Sequence, residues 1–267
     1  MNRIEKYRRE HPPFLRLDPY LGTYFFRLNV TRPPLDNPLV RRALALSLDR
    51  KTLADAVWRN AMLPAGSFTP PNTAGYTPDA ALPFDHAQAR QLLVEAGYPG
   101  GQGLPPIDIL FNTSQNHRLT CEAVQQMWSA NLGATVTLTN QEEKVYFDTR
   151  RRMDYQVYRS TWIGDYLDPT SFLDLWLSGG GNNYTGWANT EYDRLIAEAA
   201  QTPDQAARYA VFQQAESILR REAPIIPLFH YTHAFLIHPS VQGWFPTLLD
   251  HHPYKYVRLA PAVEHAP

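Results

Sequence analysis

The chain has 267 residues, 44% hydrophobic and 19% charged, with a formal net charge of −1. That length buries a sizeable core in one large domain or two small ones, and the balanced charge supplies no general field for nucleic acid or an anionic membrane. The single cysteine, Cys121, excludes an internal disulfide and zinc-finger sites, and no stretch approaches the ~20 apolar residues of a membrane span.

Met1–Glu10 has the charge of a signal n-region but no apolar run behind it, so export is not encoded in this stretch. Thr23–Val30 alternates and is rich in β-formers, which predicts a strand. Asn37 followed by Pro38 opens a helix to about Leu48, and Asp49 caps a second to about Asn60. Ala61–Pro83 is interrupted by proline and glycine and reads as a long irregular loop. Asp85 caps a helix whose Ala89, Leu92, Leu93 and Ala96 keep helical spacing until Gly97 ends it. After a turn at Gly100–Pro106 comes the most regular part of the chain. Ile107–Phe111, Thr135–Thr139 and Tyr155–Arg159 read as strands, and Arg118–Leu132 and Glu142–Arg151 as the helices between them. Cys121 falls inside the first of these helices, as a small buried thiol.

Strand, helix, strand, helix, strand with short joins calls for parallel strands covered by helices. In such sheets ligands bind beyond the carboxyl ends of the strands. Those ends are Asn112–His117, Asn140–Glu143 and Arg159–Asp165. Helices follow at Glu191–Ala200 and Asp204–Arg221. Strands are expected at Pro224–Tyr231 and Ala234–His238, with one more at Tyr254–Leu259 in a Pro- and His-rich tail.

The third strand end concentrates the candidate chemistry. Arg159, Trp162 and Asp165 put a guanidinium, an indole and a carboxylate on one short segment, suited to the two ends and the apolar middle of a zwitterion such as a peptide or amino acid. Asp168 precedes Pro169 and an apolar run and reads as a helix cap. Asp165 has no helix to cap and is either a ligand for an ammonium or a solvated side chain. Arg159 is a carboxylate clamp or one half of an internal salt bridge. Arg150, Arg151 and Arg152 close a helix, where cations complement the dipole. His117 is a site residue or merely the start of its helix, and Trp162, Tyr231 and Phe25 are pocket walls or core aromatics.

The motifs of serine hydrolases, P-loops, zinc proteases and dinucleotide sites are absent. The histidines at 230, 233, 251 and 252 have no carboxylate at ligand spacing, so neither metal nor cofactor is called for.

Several segments resemble the oligopeptide-binding proteins of ABC importers, extracellular solute-binding protein family 5. They are Asp18–Phe26, Asn37–Arg50, Phe111–Ser114, Asn140–Glu142 and Gly164–Phe172. The resemblance covers the carboxyl-terminal half of that family and implies one lobe of a type II (cluster C) periplasmic-binding-protein fold, an α/β mixed sheet flanked by helices. It implies a hinge segment at 1–21, a ligand-binding lobe at 22–232 and a return segment at 233–267. By the same resemblance Asp165 pairs with a peptide ammonium beside Gly164, and Trp162 lines a pocket. Arg159, Arg150 and His117 form a cationic set for the peptide carboxylate, and Tyr20, Phe25, Asn112 and Tyr231 line pockets or meet the peptide backbone. Glu143 stands where the similar peptide binder has tryptophan, and Phe25 replaces a tyrosine. The implied partners are a short peptide, membrane permease subunits and a missing amino-terminal lobe, and the implied location is the periplasm. Relatives that take up dipeptides, nickel complexes, glutathione or murein peptides leave the ligand open, and a peptide hydrolase using Asp165 with His117 is the enzymatic alternative.

Overall fold

The computed structural model describes residues 2–260; Met1 and 261–267, the end of the expected return segment, lie outside the described residues. The helices are α1 (Asn2–Glu10), α2 (Pro38–Leu46), α3 (Arg50–Trp58), α4 (His86–Glu95), α5 (Gln115–Leu132), α6 (Glu143–Arg151), α7 (Thr170–Leu173), α8 (Thr190–Gln201) and α9 (Gln205–Glu222). The strands are β1 (Leu15–Leu28), β2 (Leu63–Pro64), β3 (Ile107–Asn112), β4 (Val136–Gln141), β5 (Val157–Ile163), β6 (Ile225–Leu236), β7 (Val241–Gln242) and β8 (Arg258–Leu259).

The helix starts follow the predicted chemistry. Side chains of Asn37, Asp49, Asp85 and Asp204 accept the N–H groups of Leu39, Thr52, Gln88 and Ala207, satisfying donors that the first turn leaves unpaired. α5 closes at Gly133, whose φ of +69° suits a residue without Cβ.

One sheet has the order β2-β6-β1-β5-β3-β4. β4, β3 and β5 run parallel, as the alternating pattern requires, while β1 pairs antiparallel with both β5 and β6. The sheet is therefore mixed. Alternation along β1 divides the core in two. Tyr24, Phe26 and Leu28 face the cluster built by α2 to α5, and Leu21 and Phe25 face a second cluster built by α7 to α9. Beside the second, Tyr146 of α6 joins Leu110, Tyr155 and Tyr158.

Several boundaries differ from the expectation. β1 begins at Leu15 rather than Thr23, because its first half pairs with β6, from Leu15 opposite Leu236 to Pro19 opposite Thr232. The two strands expected at 224–231 and 234–238 are consequently the single strand β6. β5 continues to Ile163 because β1 accompanies it past the end of β3, so Arg159 stands inside a strand and not at its end. The loop at 61–83 holds the short strand β2, and α1 lies where no helix was expected. Among the described residues of the tail, Arg258–Leu259 alone is strand, and Tyr254–Tyr256 is a 3-10 turn. Both expected domain boundaries fall within continuous strands, β1 and β6.

Candidate functional site

The site grows from the last residues of β5. Gly164 N–H donates to Leu21 O at 2.8 Å, continuing a register that sets Trp162 opposite Thr23 and Thr161 opposite Tyr24. Antiparallel pairs alternate between exchanging hydrogen bonds and not doing so, so Trp162 is bonded to β1 while the N–H and C=O groups of Thr161 and Ile163 point away from it. On that other side β3 accompanies β5 only to Tyr158. The end of β5 thus offers an unpaired edge.

The segment beyond it is pinned by Ser171 in α7. The Ser171 hydroxyl accepts Asp165 N–H at 3.0 Å, and its carbonyl accepts Trp162 Nε1–H at 2.6 Å. A Cβ on Gly164 would lie 2.7 Å from Leu21 Cδ2 and 2.9 Å from Phe172 Cε2, so only glycine lets the chain pass here. Asp165 is exposed, and its carboxylate makes no hydrogen bond or ion pair among the described residues. Asp168 does the work of a cap: its Oδ1 accepts Thr170 N–H at 3.0 Å, and both its oxygens accept from Arg208 of α9, at 2.7 and 2.8 Å. Burial alone would raise the Asp168 carboxyl, but the bonds from Arg208 and Thr170 hold it below the ordinary range.

Arg159 is 7% exposed, with its guanidinium carbon 4.4 Å from the centre of the Tyr24 ring. Nη1 donates a long bond of 3.4 Å to Asn112 Oδ1, and the buried Nε has no partner among the described residues. No carboxylate pairs with it among the described residues. His117, in the first turn of α5, lies 3.4 Å from the Tyr24 hydroxyl through Nδ1. Burial, reinforced by Arg159, pushes its imidazole down to about 3, so it is neutral at physiological pH.

Arg150 is not brought to this group. It projects from the far end of α6 over Phe147 and Tyr184, and its other aromatic neighbour, Tyr158, lies on the face of β5 opposite to Arg159. The expected cationic set is therefore one buried guanidinium with a neutral imidazole beside it, and a second guanidinium across the sheet. Phe25 is wholly buried against Phe68 and Trp176, with edge-on contacts at 4.9 and 5.8 Å. Tyr20 stacks on His233 at 3.9 Å and, with Tyr231, lines a cavity of about 310 Å³. Two of the four histidines that lacked a carboxylate at ligand spacing share one in space: Asp250 accepts from His233 Nδ1 at 2.8 Å and His252 Nε2 at 2.9 Å.

Sequence reasoning missed Tyr24, Ser171 and the backbone of Thr161 and Ile163. Tyr24 could have been found from its place in the alternation of β1. The strand edge has no side-chain signature at all.

An open strand edge between a buried cation and an exposed anion, neither with a counter-ion among the described residues, is an arrangement suited to holding a zwitterion on an α/β scaffold. The family described as bacterial extracellular solute-binding proteins, family 5 middle, matches residues 3–184, and the chain belongs to it. The chain is 38% identical over 250 residues to the periplasmic murein peptide-binding protein MppA of Escherichia coli, covering 91% of this chain and 46% of that protein. It is 37% identical over 247 residues to the periplasmic oligopeptide-binding protein OppA of Salmonella typhimurium, covering 90% and 45%. The solved structure of MppA in an unliganded open form superposes with a TM-score of 0.91 at 36% identity, covering 97% of this chain and 51% of that one. The chain spans about half the length of the curated relatives it matches.

Proposed function

We propose that this chain is a ligand-binding lobe of a periplasmic solute-binding protein that presents short peptides to the membrane permease of an ABC importer. The observation that carries the reading is the unpaired edge of β5 set between an anionless buried Arg159 and a partnerless Asp165. A peptide laid along Thr161 and Ile163 would add its main-chain bonds to that edge, which is indifferent to side chains. Its ammonium would meet Asp165 and its carboxylate Arg159, so it would run antiparallel to β5. From Arg159 to Asp165 the extended backbone spans about 20 Å at most, which suits a ligand of a few residues. The relatives' names support the class of ligand, and their greater length supports a second lobe closing over the site. In this reading residues 22–232 are the ligand lobe, and the segments 1–21 and 233–267 lead to and from the second lobe.

Calorimetry with a tri- or tetrapeptide tests the proposal. Weak binding, abolished by amino-terminal acetylation and by Asp165→Asn, is expected; indifference to both changes would overturn it. With one lobe, desolvation is incomplete, so the isolated chain should not reach low-micromolar affinity. The hydrolase alternative has little support in the geometry, since His117 is engaged with Tyr24 and no hydrogen bond joins it to Asp165. Absence of turnover under the same conditions would dismiss it.

A further inference from the structure

The loop that carries Asp165 is fixed from outside the site. Among the described residues the Asp165 carboxylate has no bond of its own, so the backbone sets where its charge stands. Gly164 N–H donates to Leu21 O at 2.8 Å and Asp165 N–H to Ser171 Oγ at 3.0 Å. The Ser171 carbonyl takes the Trp162 indole N–H, and Ser171 N–H returns to Asp168 O at 3.1 Å. The segment from 165 to 171 is thus closed on itself, and both the anion and the indole hang on Ser171.

One charged side chain from a distant element holds this closed segment to the body of the lobe. Arg208 of α9 donates to both oxygens of Asp168, Nη1 to Oδ2 at 2.7 Å and Nη2 to Oδ1 at 2.8 Å, a two-pronged pair that fixes direction as well as distance. Asp168 Oδ1 also accepts the N–H and hydroxyl of Thr170, at 3.0 and 2.7 Å, so the pair sets the start of α7, the helix that carries Ser171. Tyr192 of α8 holds the other end of α7, its hydroxyl donating to Leu173 O at 2.6 Å. The Arg208 guanidinium lies over the Phe212 ring, 4.8 Å from its centre, which narrows its freedom. Arg208 stands near the amino end of α9, capped by Asp204, where the helix dipole disfavours a cation. Its charge is compensated by Asp168 and not by its own helix.

We propose that Arg208 is a positioning residue for ligand recognition: through Asp168 and Ser171 it holds the Asp165 carboxylate and the Trp162 indole where the ligand's ammonium end meets them. The inference rests on the peptide-binding reading. An exposed carboxylate is sensitive to placement, because a shift of about 1 Å takes it out of hydrogen-bond distance and lets water in between. Arg208 touches neither the ligand edge of β5 nor Asp165, so its effect reaches the site only through α7.

The test is an NMR titration of the whole chain with Ala-Ala-Ala, in the parent, Arg208→Met, Arg208→Lys and Ser171→Ala, together with solvent exchange of the Asp165 amide and the Trp162 indole N–H. Arg208→Met should weaken Ala-Ala-Ala about fivefold and speed both exchange rates. Arg208→Lys keeps the charge without the fork and should limit the loss to about twofold. Combining Arg208→Met with Ser171→Ala should cost no more than the worse single change, since the two act along one path. A pair that serves only the fold would lower the urea midpoint and leave affinity and both exchange rates unchanged. That result, or additive losses in the double variant, would overturn the positioning role and leave the peptide reading standing. Failure of Ala-Ala-Ala to bind the parent at millimolar concentration would overturn the peptide reading, and the exchange rates, which need no ligand, would still decide whether Arg208 fixes the loop.

Discussion

Arg159 and Asp165 carry the two charges of the candidate site under opposite conditions. Asp165 sits in solvent, where a lone carboxylate is well hydrated and costs folding almost nothing. Arg159 lies in the core against Tyr24 with no anion among the described residues, where an uncompensated charge costs several kcal/mol in desolvation that packing alone does not return. Arg27 and Arg50 are buried as deeply without an ion pair, but they donate to backbone carbonyls, whereas Arg159 keeps Nε without a partner among the described residues, and that difference points to a role outside folding. The exposed anion is informative only through its position, held by Gly164 and Ser171 at the end of an open strand edge.

The sharpest test of the cost of buried charge uses Glu216, another buried ionisable group without a counter-ion among the described residues. It is 2% exposed and accepts Thr69 N–H, and burial raises its carboxyl to about 7 from the model-compound 4.5. Between those values the folded protein retains a proton that the unfolded chain has released, so stability falls as pH rises through that window. Glu216→Gln should remove a loss of about 3 kcal/mol between pH 4.5 and 8, read by urea unfolding of parent and variant side by side. The comparison with the parent matters because His117 and His230, both lowered to about 3, act in the opposite sense: their contribution is lost as pH falls below about 6.5.

Arg159→Met applies the same logic at the site itself. It should leave thermal stability unchanged or raise it by about 1–3 kcal/mol while weakening peptide binding at least tenfold. A clear loss of stability would show that Arg159 serves the fold, and the contrast with Asp165 would collapse. Gly164→Ala should cost about 1–3 kcal/mol by forcing Leu21 and Phe172 apart, measurable as a lowered urea midpoint. The smallest effects separate the two aspartates. Asp168→Ala should cost about 1–2 kcal/mol through the lost cap and Arg208 pair, whereas Asp165→Ala should change stability by less than about 0.5 kcal/mol and act only on binding.

Helix starts were legible because capping is a local transaction between neighbours in sequence, as at Asn37, Asp49 and Asp85. The parallel unit of β3, β4 and β5 was legible for a similar reason, since its period and its short joins are written along the chain. The length of β5 was not, because it depends on β1, whose partner residues lie far away in sequence. That dependence moved Arg159 from a strand end into the core and put Arg150 on the other side of the sheet.

By itself the sequence determined the α/β class, the caps, the family and the contrast between Asp165 and Asp168, all of which rest on short-range patterns or on segments of matched residues. Only the tertiary structure decided that Arg159 is buried with no ion pair among the described residues, that Asp250 joins His233 and His252, and that β1 and β6 fall out of step at Tyr20–Gly22. Burial, pairing and register are properties of residues distant in the chain that folding brings together, and no local pattern encodes them.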